Sequence, residues 1–284
     1  MSTDILVSVC CTTFNHEKYI ETTIKSFLSQ ESNFRFEIII GEDCSSDTTR
    51  AKVAYFCETY PELVTMVTAE KNVGLIENYC RVIARAKGKY IAFCDGDDYW
   101  SDPKKLQRQV DFLEKNEDYT ICCHYSAKID ENNKLLYVHP NPVPLAYTFS
   151  DILLGNKDET RISSAVFRNT AEFRTITTDS WFRKFRIQDN ALRLHATSCS
   201  NRKIYVLPNV MSMYRIHTGG IWSMADPQFN KERARNDFGV TIEHFKYSKA
   251  QGQALLKSYM RNYLLFDLKK ARFNQIIKVC KQLS

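Results

Sequence analysis

Long apolar stretches and metal-type cysteine spacings are both missing from this sequence. None of its apolar runs approaches the roughly 20 residues that a membrane-spanning helix needs. The segment from Met1 to Leu6 is too short and too acidic for a signal peptide. The ten cysteines include no CxxC pair and no Cys/His cluster at zinc spacing. We therefore expect a soluble, non-secreted protein whose cysteines are small buried thiols in a reducing cytoplasm.

Positive charge is unevenly distributed along the chain. The 284 residues are 44% apolar and 25% charged, which suits a globular protein with a large core, and the formal net charge is +6. Residues 244–284 hold nine Lys or Arg and one acid, Asp267, whereas the rest of the chain is slightly acidic. The basic surplus therefore belongs to the C-terminal segment alone.

The first half of the chain alternates short β-branched runs with helical patterns. This alternation is typical of βαβ units that build a parallel sheet, here with four strands and three crossovers. Ligands of such sheets bind beyond the carboxyl ends of the strands. The predicted strands are Ile5 to Cys11, Glu37 to Gly41, Leu63 to Thr68 and Tyr90 to Cys94, and the predicted helices are Tyr19 to Gln30, Asp47 to Tyr60 and Ile76 to Ala86.

The second half is less regular. Pro140, Pro142 and Pro144 break the chain within five residues, so we place a boundary between Asp130 and Tyr147. The predicted organisation is one catalytic domain over residues 1–225, divided into halves 1–130 and 131–225, and a basic helical extension over 226–284. Further predicted elements are helices over Lys105 to Asn116 and Asp189 to Ala196, and strands over Thr120 to Tyr125, Ser163 to Phe167 and Ile204 to Leu207.

An acidic cluster follows the fourth predicted strand. Asp95, Asp97 and Asp98 bring three carboxylates within four residues, and such close like charges repel unless a cation lies between them. Carboxylates combined with a diphosphate are a usual way to hold Mg²⁺ or Mn²⁺. An acidic turn that caps the next helix is the alternative. The position after a buried strand favours a divalent metal site.

A second acidic cluster follows the second strand and would face the same crevice. Glu42, Asp43 and Asp47 form it, and Asp47 also fits the N-cap of the following helix. Asp43 is closer to the strand end, where a carboxylate can bind a nucleobase or ribose. Local evidence leaves binding and capping both open.

Five segments in this order resemble the family 2 glycosyltransferases of the GT-A fold, of the bacterial surface-polysaccharide type. The resemblance covers residues 5 to 103, and Cys11 and Cys44 depart from it where the family commonly has proline and glycine. It implies an α/β nucleotide-binding fold with a mostly parallel central sheet flanked by helices, here extended by C-terminal helices. The segments are Val7 to Asn15, Glu37 to Thr48, Asn72 to Gly74, Lys87 to Phe93 and Asp95 to Trp100.

The resemblance also implies roles for residues of the nucleotide half. Thr12 and Phe14 would flank the base, with Asn15 in the same donor-binding segment, and Asp43 would hydrogen-bond the base, typically uracil. Asp95 would touch the ribose or the metal. Asp97 would ligate a divalent ion that bridges the diphosphate, with Asp98 as an adjacent candidate.

Fragments of the second half extend the resemblance. Gln188 and Asp189 align with an acidic pair at a helix start, with Gln188 in place of the usual first acid, and the resemblance implies that Asp189 is the general base. A helix cap at Asp189, or Asp179 as the base, are alternatives. Tyr214 to His217 matches a segment in which Arg215 would contact the phosphates and His217 the metal. Gly219 and Gly220 would let a loop close over the diphosphate, and Trp222 would stack on a sugar or pack.

These parts imply an inverting, metal-dependent hexosyltransferase that moves a sugar from a UDP-sugar to a hydroxyl of a glycan or lipid-linked glycan. One base and no candidate nucleophile imply single displacement. A dinucleotide oxidoreductase is disfavoured because no GxGxxG follows the first strand. A sugar-phosphate nucleotidyltransferase and a catalytically silent sugar-binding module remain alternatives.

The basic extension predicts an anionic membrane surface as a further partner. Tyr259, Tyr263 and Phe266 alternate there with Lys and Arg, which suits peripheral attachment to the inner face of the membrane. Nucleic acid is not expected, because the remaining chain is acidic. The alternative is a solvated basic face on helices that pack against the catalytic domain or another subunit.

Overall fold

The structure is a computed structural model that describes residues 4–220 and 225–283. In this part of the chain, ten strands join in a single sheet. Trp222 lies outside the described residues. The strands are β1 (Ile5–Thr13), β2 (Arg35–Glu42), β3 (Val64–Thr68), β4 (Tyr90–Asp95), β5 (Tyr99–Trp100), β6 (Tyr119–Asp130), β7 (Leu135–Tyr137), β8 (Leu145–Tyr147), β9 (Val166–Arg168) and β10 (Lys203–Ile216).

The first four strands form the expected parallel sheet. They lie in the order β3-β2-β1-β4, and every neighbouring pair is parallel. Beyond β4 the order continues as β9-β6-β10-β5, with β9 antiparallel to both β4 and β6. The predicted α/β class is confirmed, and the sheet is parallel in the first half and mixed in the second.

Helices cover both faces of the sheet and continue to the C-terminal end of the described chain. Each helix predicted in the first half is present, with ends that differ by one or two residues. The helices are α1 (Ile20–Leu28), α2 (Thr49–Thr59), α3 (Leu75–Arg85), α4 (Lys105–Lys115), α5 (Phe149–Leu153), α6 (Ala171–Arg174), α7 (Gln188–Ser200), α8 (Pro227–His244), α9 (Lys249–Asn262), α10 (Leu264–Lys269) and α11 (Phe273–Leu283).

The predicted lengths of the later strands were wrong. Strand β10 is 14 residues long and not four, because it passes Pro208 through a register shift between Leu207 and Val210. A bulge of this kind accommodates a proline that cannot donate to the ladder. Ser163 lies in a short 3-10 turn rather than in a strand. The full length of β10 is what carries Arg215 to the active-site edge.

Two apolar clusters occupy the two faces of the sheet. Cys10 of β1 packs in one cluster with Phe93, and its neighbour Cys11 packs in the other with Ile24. Successive residues of a strand face opposite sides, as expected for this pair. Both thiols are buried, so they fill the core as small apolar groups.

The C-terminal helices contribute to the first of these clusters. Phe245, Leu255 and Tyr259 belong to the same buried cluster as Phe93. Tyr259 is fully buried and Phe266 is 8% exposed. Of the aromatic residues that suggested a membrane-facing surface, Tyr259 and Phe266 are therefore buried, and Tyr263 is half-buried against the same cluster. No helix in the described chain is long and apolar enough to span a membrane.

A buried ion pair fixes the same helices. Arg235 of α8 donates to the Asp267 carboxylate of α10 at 2.6 Å, and the Tyr259 hydroxyl donates to it at 2.8 Å. The one acid of the basic segment 244–284 is thus paired inside the protein with an arginine from outside that segment. Breaking a buried pair of this kind by removing one partner typically costs about 3–5 kcal/mol.

The buried side chain of Lys105 leads us to expect an unusual pH dependence of the free energy of unfolding. Its side chain is fully buried, and its ammonium lies 4.0 Å from the centre of the Trp100 ring without a hydrogen-bond partner in the described chain. Burial lowers the pKa of Lys105 to about 7. The unfolded chain keeps this proton until its ordinary pKa of 10.5, so above about pH 7 folding releases a proton and stability rises with pH.

We therefore expect Lys105→Met to remove this dependence. The free energy of unfolding of the native protein, relative to that of the variant, rises by about 1.4 kcal/mol per pH unit from about pH 7 to 10. Urea unfolding of both proteins at pH 7, 8 and 9 measures the difference. Parallel curves for the two proteins would show that Lys105 does not titrate in this way.

Candidate active site

One large cavity lies at the carboxyl ends of the parallel strands. Its volume is about 910 Å³. It brings together residues of β1, β2 and β4 with residues of β10 and α7 that are distant in sequence. The predicted residues that line it are Thr12, Phe14, Asp43, Asp95, Asp97, Asp98, Asp189, Arg215, Gly219 and Gly220.

Asp95 ends β4 and is held by two hydroxyl groups. Thr12 Oγ1 donates to Asp95 Oδ1 at 2.9 Å, and the Tyr79 hydroxyl donates to the same oxygen at 2.7 Å. Burial raises the pKa of Asp95 to about 7, and the negative charges of Asp97 and Asp189 add to this effect. Oδ1 is therefore fixed toward the protein, which fits Asp95 as an oriented contact for a ribose or a cation.

Asp97 lies between two imidazoles. His217 Nε2 is 3.1 Å from Asp97 Oδ2, and His16 Nε2 is 3.9 Å from the same atom. Burial opposes ionisation, but the two histidines outweigh it and lower the pKa of Asp97. Its side chain keeps 20% exposure toward the cavity. The structure thus presents an ionised carboxylate beside imidazole nitrogens at the cavity surface.

Gly96 is required by the tight packing of this turn. A Cβ at this position would lie 2.6 Å from Thr13 Oγ1 and 2.9 Å from His16 Nδ1. Both distances are shorter than ordinary contacts, so a side chain would displace His16. The glycine lets Asp95 and Asp97 approach β1 and the first loop closely.

The contacts of Asp98 indicate a different role from that of Asp97. Its side chain is 3% exposed, and its Oδ1 accepts a hydrogen bond from the backbone N–H of Arg215 at 2.9 Å. Burial, and then the charge of Asp97, raise its pKa. These contacts make Asp98 the link between the β4 turn and β10, and they occupy the oxygen that faces Arg215.

Arg215 is buried and firmly held. Its Nε donates to the Asp97 carbonyl at 2.9 Å, and its Nη1 donates to Asn133 Oδ1 at 2.9 Å. The guanidinium lies 4.6 Å from the centre of the Tyr19 ring. Arg215 therefore both organises the turn that carries Asp97 and presents a fixed positive charge to the cavity.

The second acidic cluster separates into distinct roles. Asp43 accepts from the backbone N–H groups of Val73 and Gly74 at 2.8 and 2.9 Å, which fixes the 72–74 loop at the cavity wall. Asp47 accepts from the N–H groups of Thr49 and Glu17 at 2.9 and 3.0 Å, so it ties the first loop to the start of α2, whose N-cap residue is Thr48. Cys44, where the family commonly has glycine, has a φ of 60°, a conformation that favours glycine.

Phe14 and Asn15 of the first loop, which follows β1, have different surroundings. Phe14 is 41% exposed at the cavity, where a base can stack. Asn15 Oδ1 accepts from the Ser46 N–H at 2.9 Å, and the Asn15 N–H donates to Ser45 Oγ at 3.0 Å. The Asn15 side chain thus fixes the neighbouring turn, and it is not among the described residues that line the cavity.

Asp189 lies in the first turn of α7 and lines the cavity. Its rival Asp179 accepts from Trp181 Nε1 and Thr175 Oγ1, both at 3.2 Å. The segment before α7 is fixed by Asp237 of α8, whose oxygens accept from the N–H groups of Arg186 and Ile187 at 2.7 and 2.8 Å. The C-terminal helices therefore help to position the residue predicted as the base.

Several site residues went unnoticed in the sequence. His16 follows the carboxyl end of β1, so the argument that located the aspartates also applied to it. Tyr79 lies on the inner face of α3, where its spacing resembles that of an ordinary core residue. Asp237 has no sequence signal that distinguishes it, because its partners are backbone groups 50 residues away.

The donor set at Asp97 fits a divalent ion in chemistry. Carboxylate oxygen and imidazole nitrogen suit Mn²⁺, and oxygen ligands suit Mg²⁺. Within residues 4–220 and 225–283, no group of three or more His, Cys, Asp or Glu side chains is arranged to hold a metal ion.

A comparison with known families decides the classification. The sequence pattern of "Glycosyl transferase family 2" matches residues 8–186, which is more than half of the chain. The chain belongs to this family. The matched range contains β1 to β4 and the acidic clusters at their ends.

Relatives of this glycosyl transferase family 2 member come from several bacteria. The uncharacterized protein Rv1520 of Mycobacterium tuberculosis is 30% identical over 223 residues, covering 77% of this chain and 61% of its own length. The beta-1,3-glucosyltransferase WfgD of Escherichia coli, which is named for UDP-Glc and alpha-D-GlcNAc-diphosphoundecaprenol, is 31% identical over 144 residues, covering 51% of this chain and 54% of WfgD. The chain thus spans less than two thirds of these relatives.

Solved structures confirm the fold. TarS 1–349 of S. aureus, in complex with UDP-GlcNAc, is 20% identical with a TM-score of 0.66, covering 98% of this chain and 80% of TarS. The mannosyltransferase PcManGT of Pyrobaculum calidifontis, in complex with GDP-Man and Mn²⁺, is 15% identical with a TM-score of 0.65, covering 93% and 71%. The GT-A expectation for the fold is therefore correct.

Proposed function

We propose that this chain transfers a hexose from a nucleotide donor, a UDP-sugar, to a hydroxyl of a glycan or lipid-linked glycan in surface-polysaccharide synthesis, with inversion. The observation that carries the proposal is that one cavity is lined both by Asp97, which lies beside two imidazoles, and by Asp189 of α7. Family membership and the donors named for TarS and WfgD support the reaction class.

Asp97 and His217 would hold a divalent ion together with the donor diphosphate. When bound, such an ion supplies positive charge to the diphosphate leaving group. Arg215 adds a preorganised charge, because its guanidinium is already held by the Asp97 carbonyl and Asn133.

Asp189 would take the proton of the acceptor hydroxyl. It lies in the first turn of α7 and lines the same cavity as the donor-site residues. Single displacement by the activated hydroxyl gives inversion at the anomeric carbon. Thr12, Phe14 and Asp43 would bind the base and ribose on the opposite side of the cavity.

Nucleotide binding tests the donor site directly. We expect UDP to raise the melting temperature of the protein in the presence of Mn²⁺, with stabilisation of about 2.7 kcal/mol at 100 times its dissociation constant. EDTA should weaken UDP binding much more than uridine binding, since uridine has no diphosphate for the ion. A protein that binds neither UDP nor any UDP-sugar would contradict the proposal.

We propose in addition that the C-terminal helices attach the chain to an anionic membrane. Met260, Leu265 and Leu268 are 50%, 65% and 44% exposed. Four exposed basic residues lie between and beside them, namely Lys257, Arg261, Lys269 and Lys270. Basic residues contribute about 1 kcal/mol each near an anionic leaflet.

Vesicle co-sedimentation tests this attachment. We expect binding to anionic vesicles at low salt that is lost near about 0.5 M salt, where charges are screened within a few ångströms. Leu265→Glu should weaken it, whereas Tyr55→Glu, at a 62% exposed site on α2, should not. Equal binding to anionic and neutral vesicles, or equal effects of both variants, would contradict the attachment.

A further inference from the structure

Two cations, the buried Arg193 and the half-buried Lys157, lie near Asp189 and have no role in the proposed donor site. Lys157 and Arg193 both line the cavity, and Arg193 is 5% exposed. Lys157 Nζ donates to Asn190 Oδ1 at 3.0 Å, and Arg193 Nη1 donates to the Thr160 carbonyl. The Nε of Arg193 has no hydrogen-bond partner in the described chain. We call Lys157 and Arg193 the cation pair.

Neither member of the cation pair forms an ion pair within the part of the chain that the structure describes. In the described residues, neither side chain lies within 4 Å of a carboxylate, whereas their neighbour Arg161 pairs with Glu159 at 3.1 Å. Burial lowers the pKa of Lys157 to about 8 and also lowers the pKa of Arg193, and the negative charge that acts most on both is that of Asp189. A buried guanidinium without an ion-pair partner is costly, so Arg193, together with the Lys157 ammonium, suits an anionic ligand.

The cation pair belongs to the acceptor end of the cavity. The charges that act most on Asp97 are those of His16 and His217. Those that act most on Lys157 are Arg193 and Asp189. Arg193 and Asp189 lie one turn apart on α7. An anion at the cation pair would therefore lie next to the proposed base rather than at the donor diphosphate.

We propose that the acceptor carries a phosphate group, which Lys157 and Arg193 bind next to the hydroxyl that Asp189 deprotonates. A phosphate ester carries a charge of about −1.5 to −2, which matches two cations. A guanidinium with an available N–H suits phosphate oxygens, and the ammonium acts as a second point charge. This inference rests on the proposed function, because it identifies the acceptor class for the same cavity.

A different role for the cation pair is to keep Asp189 ionised. In that case the pair would be a positioning device for the base, and no phosphate would bind. The two roles differ in what Lys157→Gln changes. Loss of phosphate affinity supports the acceptor site, and a shift of the pH–rate profile without loss of phosphate affinity would overturn it.

Binding of methyl phosphate is the test, measured by calorimetry with saturating UDP and Mg²⁺ at constant ionic strength. The UDP fills the donor end, so that the probe reports on the remaining cations. We expect methyl phosphate to bind at least about tenfold more tightly than acetate, and Lys157→Gln to weaken it about tenfold. Lys89→Gln, which removes the same charge at the opposite end of β4, should have no effect.

The outcomes separate the two proposals. Failure of UDP to bind contradicts the donor function, and the methyl phosphate titration is then run on the protein without UDP, with the same variants. Absence of methyl phosphate binding, equal binding of acetate, or equal effects of Lys157→Gln and Lys89→Gln would each overturn the acceptor inference.

Discussion

Asp97→Asn is expected to abolish metal-dependent sugar transfer while leaving the fold intact. The change removes the charge of the one carboxylate that lies beside both His16 and His217 in the described cavity. Loss of about 4 kcal/mol of leaving-group stabilisation lowers turnover by about 10³. UDP release from the donor at saturating Mn²⁺ measures the effect.

Stability in the absence of metal is the control for this variant. Asn relieves repulsion between Asp97 and the neighbouring Asp95 and Asp98, while it loses the attraction of the two imidazoles. These effects oppose each other, so we expect a small change in melting temperature, similar to that of the exposed Asp111→Asn. A large loss of melting temperature without metal would show that Asp97 is structural and that the metal site is wrong.

Asp189→Asn is expected to lower turnover by about 10² to 10⁴ with donor affinity nearly unchanged. An amide keeps the size of the side chain but cannot accept a proton from the acceptor hydroxyl. Because Asp189 is not one of the residues proposed to bind the base, the ribose or the diphosphate, the dissociation constant of UDP should stay within about twofold. Steady-state kinetics combined with a UDP titration separates turnover from binding.

Asp179→Asn is the matched control for Asp189. The Asp179 carboxylate is engaged by Trp181 and Thr175, so its replacement should affect turnover little. If Asp179→Asn showed the large loss of turnover and Asp189→Asn did not, the general base would be misassigned.

Local patterns were sufficient to predict the parallel half of the fold. The strands β1, β2 and β4 are largely buried apolar runs, β3 is a short, half-exposed strand at the edge of the sheet, and the helices between them make all four parallel. The acidic residues at their carboxyl ends could be assigned to one crevice for the same reason. Nothing in that argument depends on distant parts of the chain.

Prediction failed where distant contacts decide the structure. Strand β10 continues past Pro208 because β6 offers a long parallel partner, and a local pattern ends the strand at the proline. Tyr259 and Phe266 looked available for a membrane, but Asp267 and Arg235 draw their helices together into the core. The exposed apolar residues of this region are instead Met260, Leu265 and Leu268.

The same limit applies to the site. The sequence identified Asp97 and His217 as partners, and the structure places them 3.1 Å apart. It did not reveal Lys157 and Arg193, because a lysine in a loop and an arginine on a helix are ordinary surface residues by pattern. Only their burial in the cavity distinguishes them.

Release of UDP from a panel of UDP-sugars, measured with Mn²⁺, with EDTA, and after Mn²⁺ is restored to the EDTA-treated protein, tests the central claim most directly. We predict that UDP is released from at least one donor, that EDTA stops this release and that Mn²⁺ restores it. We also predict that no pyrophosphate forms when a nucleoside triphosphate and a sugar phosphate are supplied instead. Pyrophosphate release would indicate a nucleotidyltransferase. Binding of a UDP-sugar without any release of UDP would indicate a silent binding module, and either result would contradict the account.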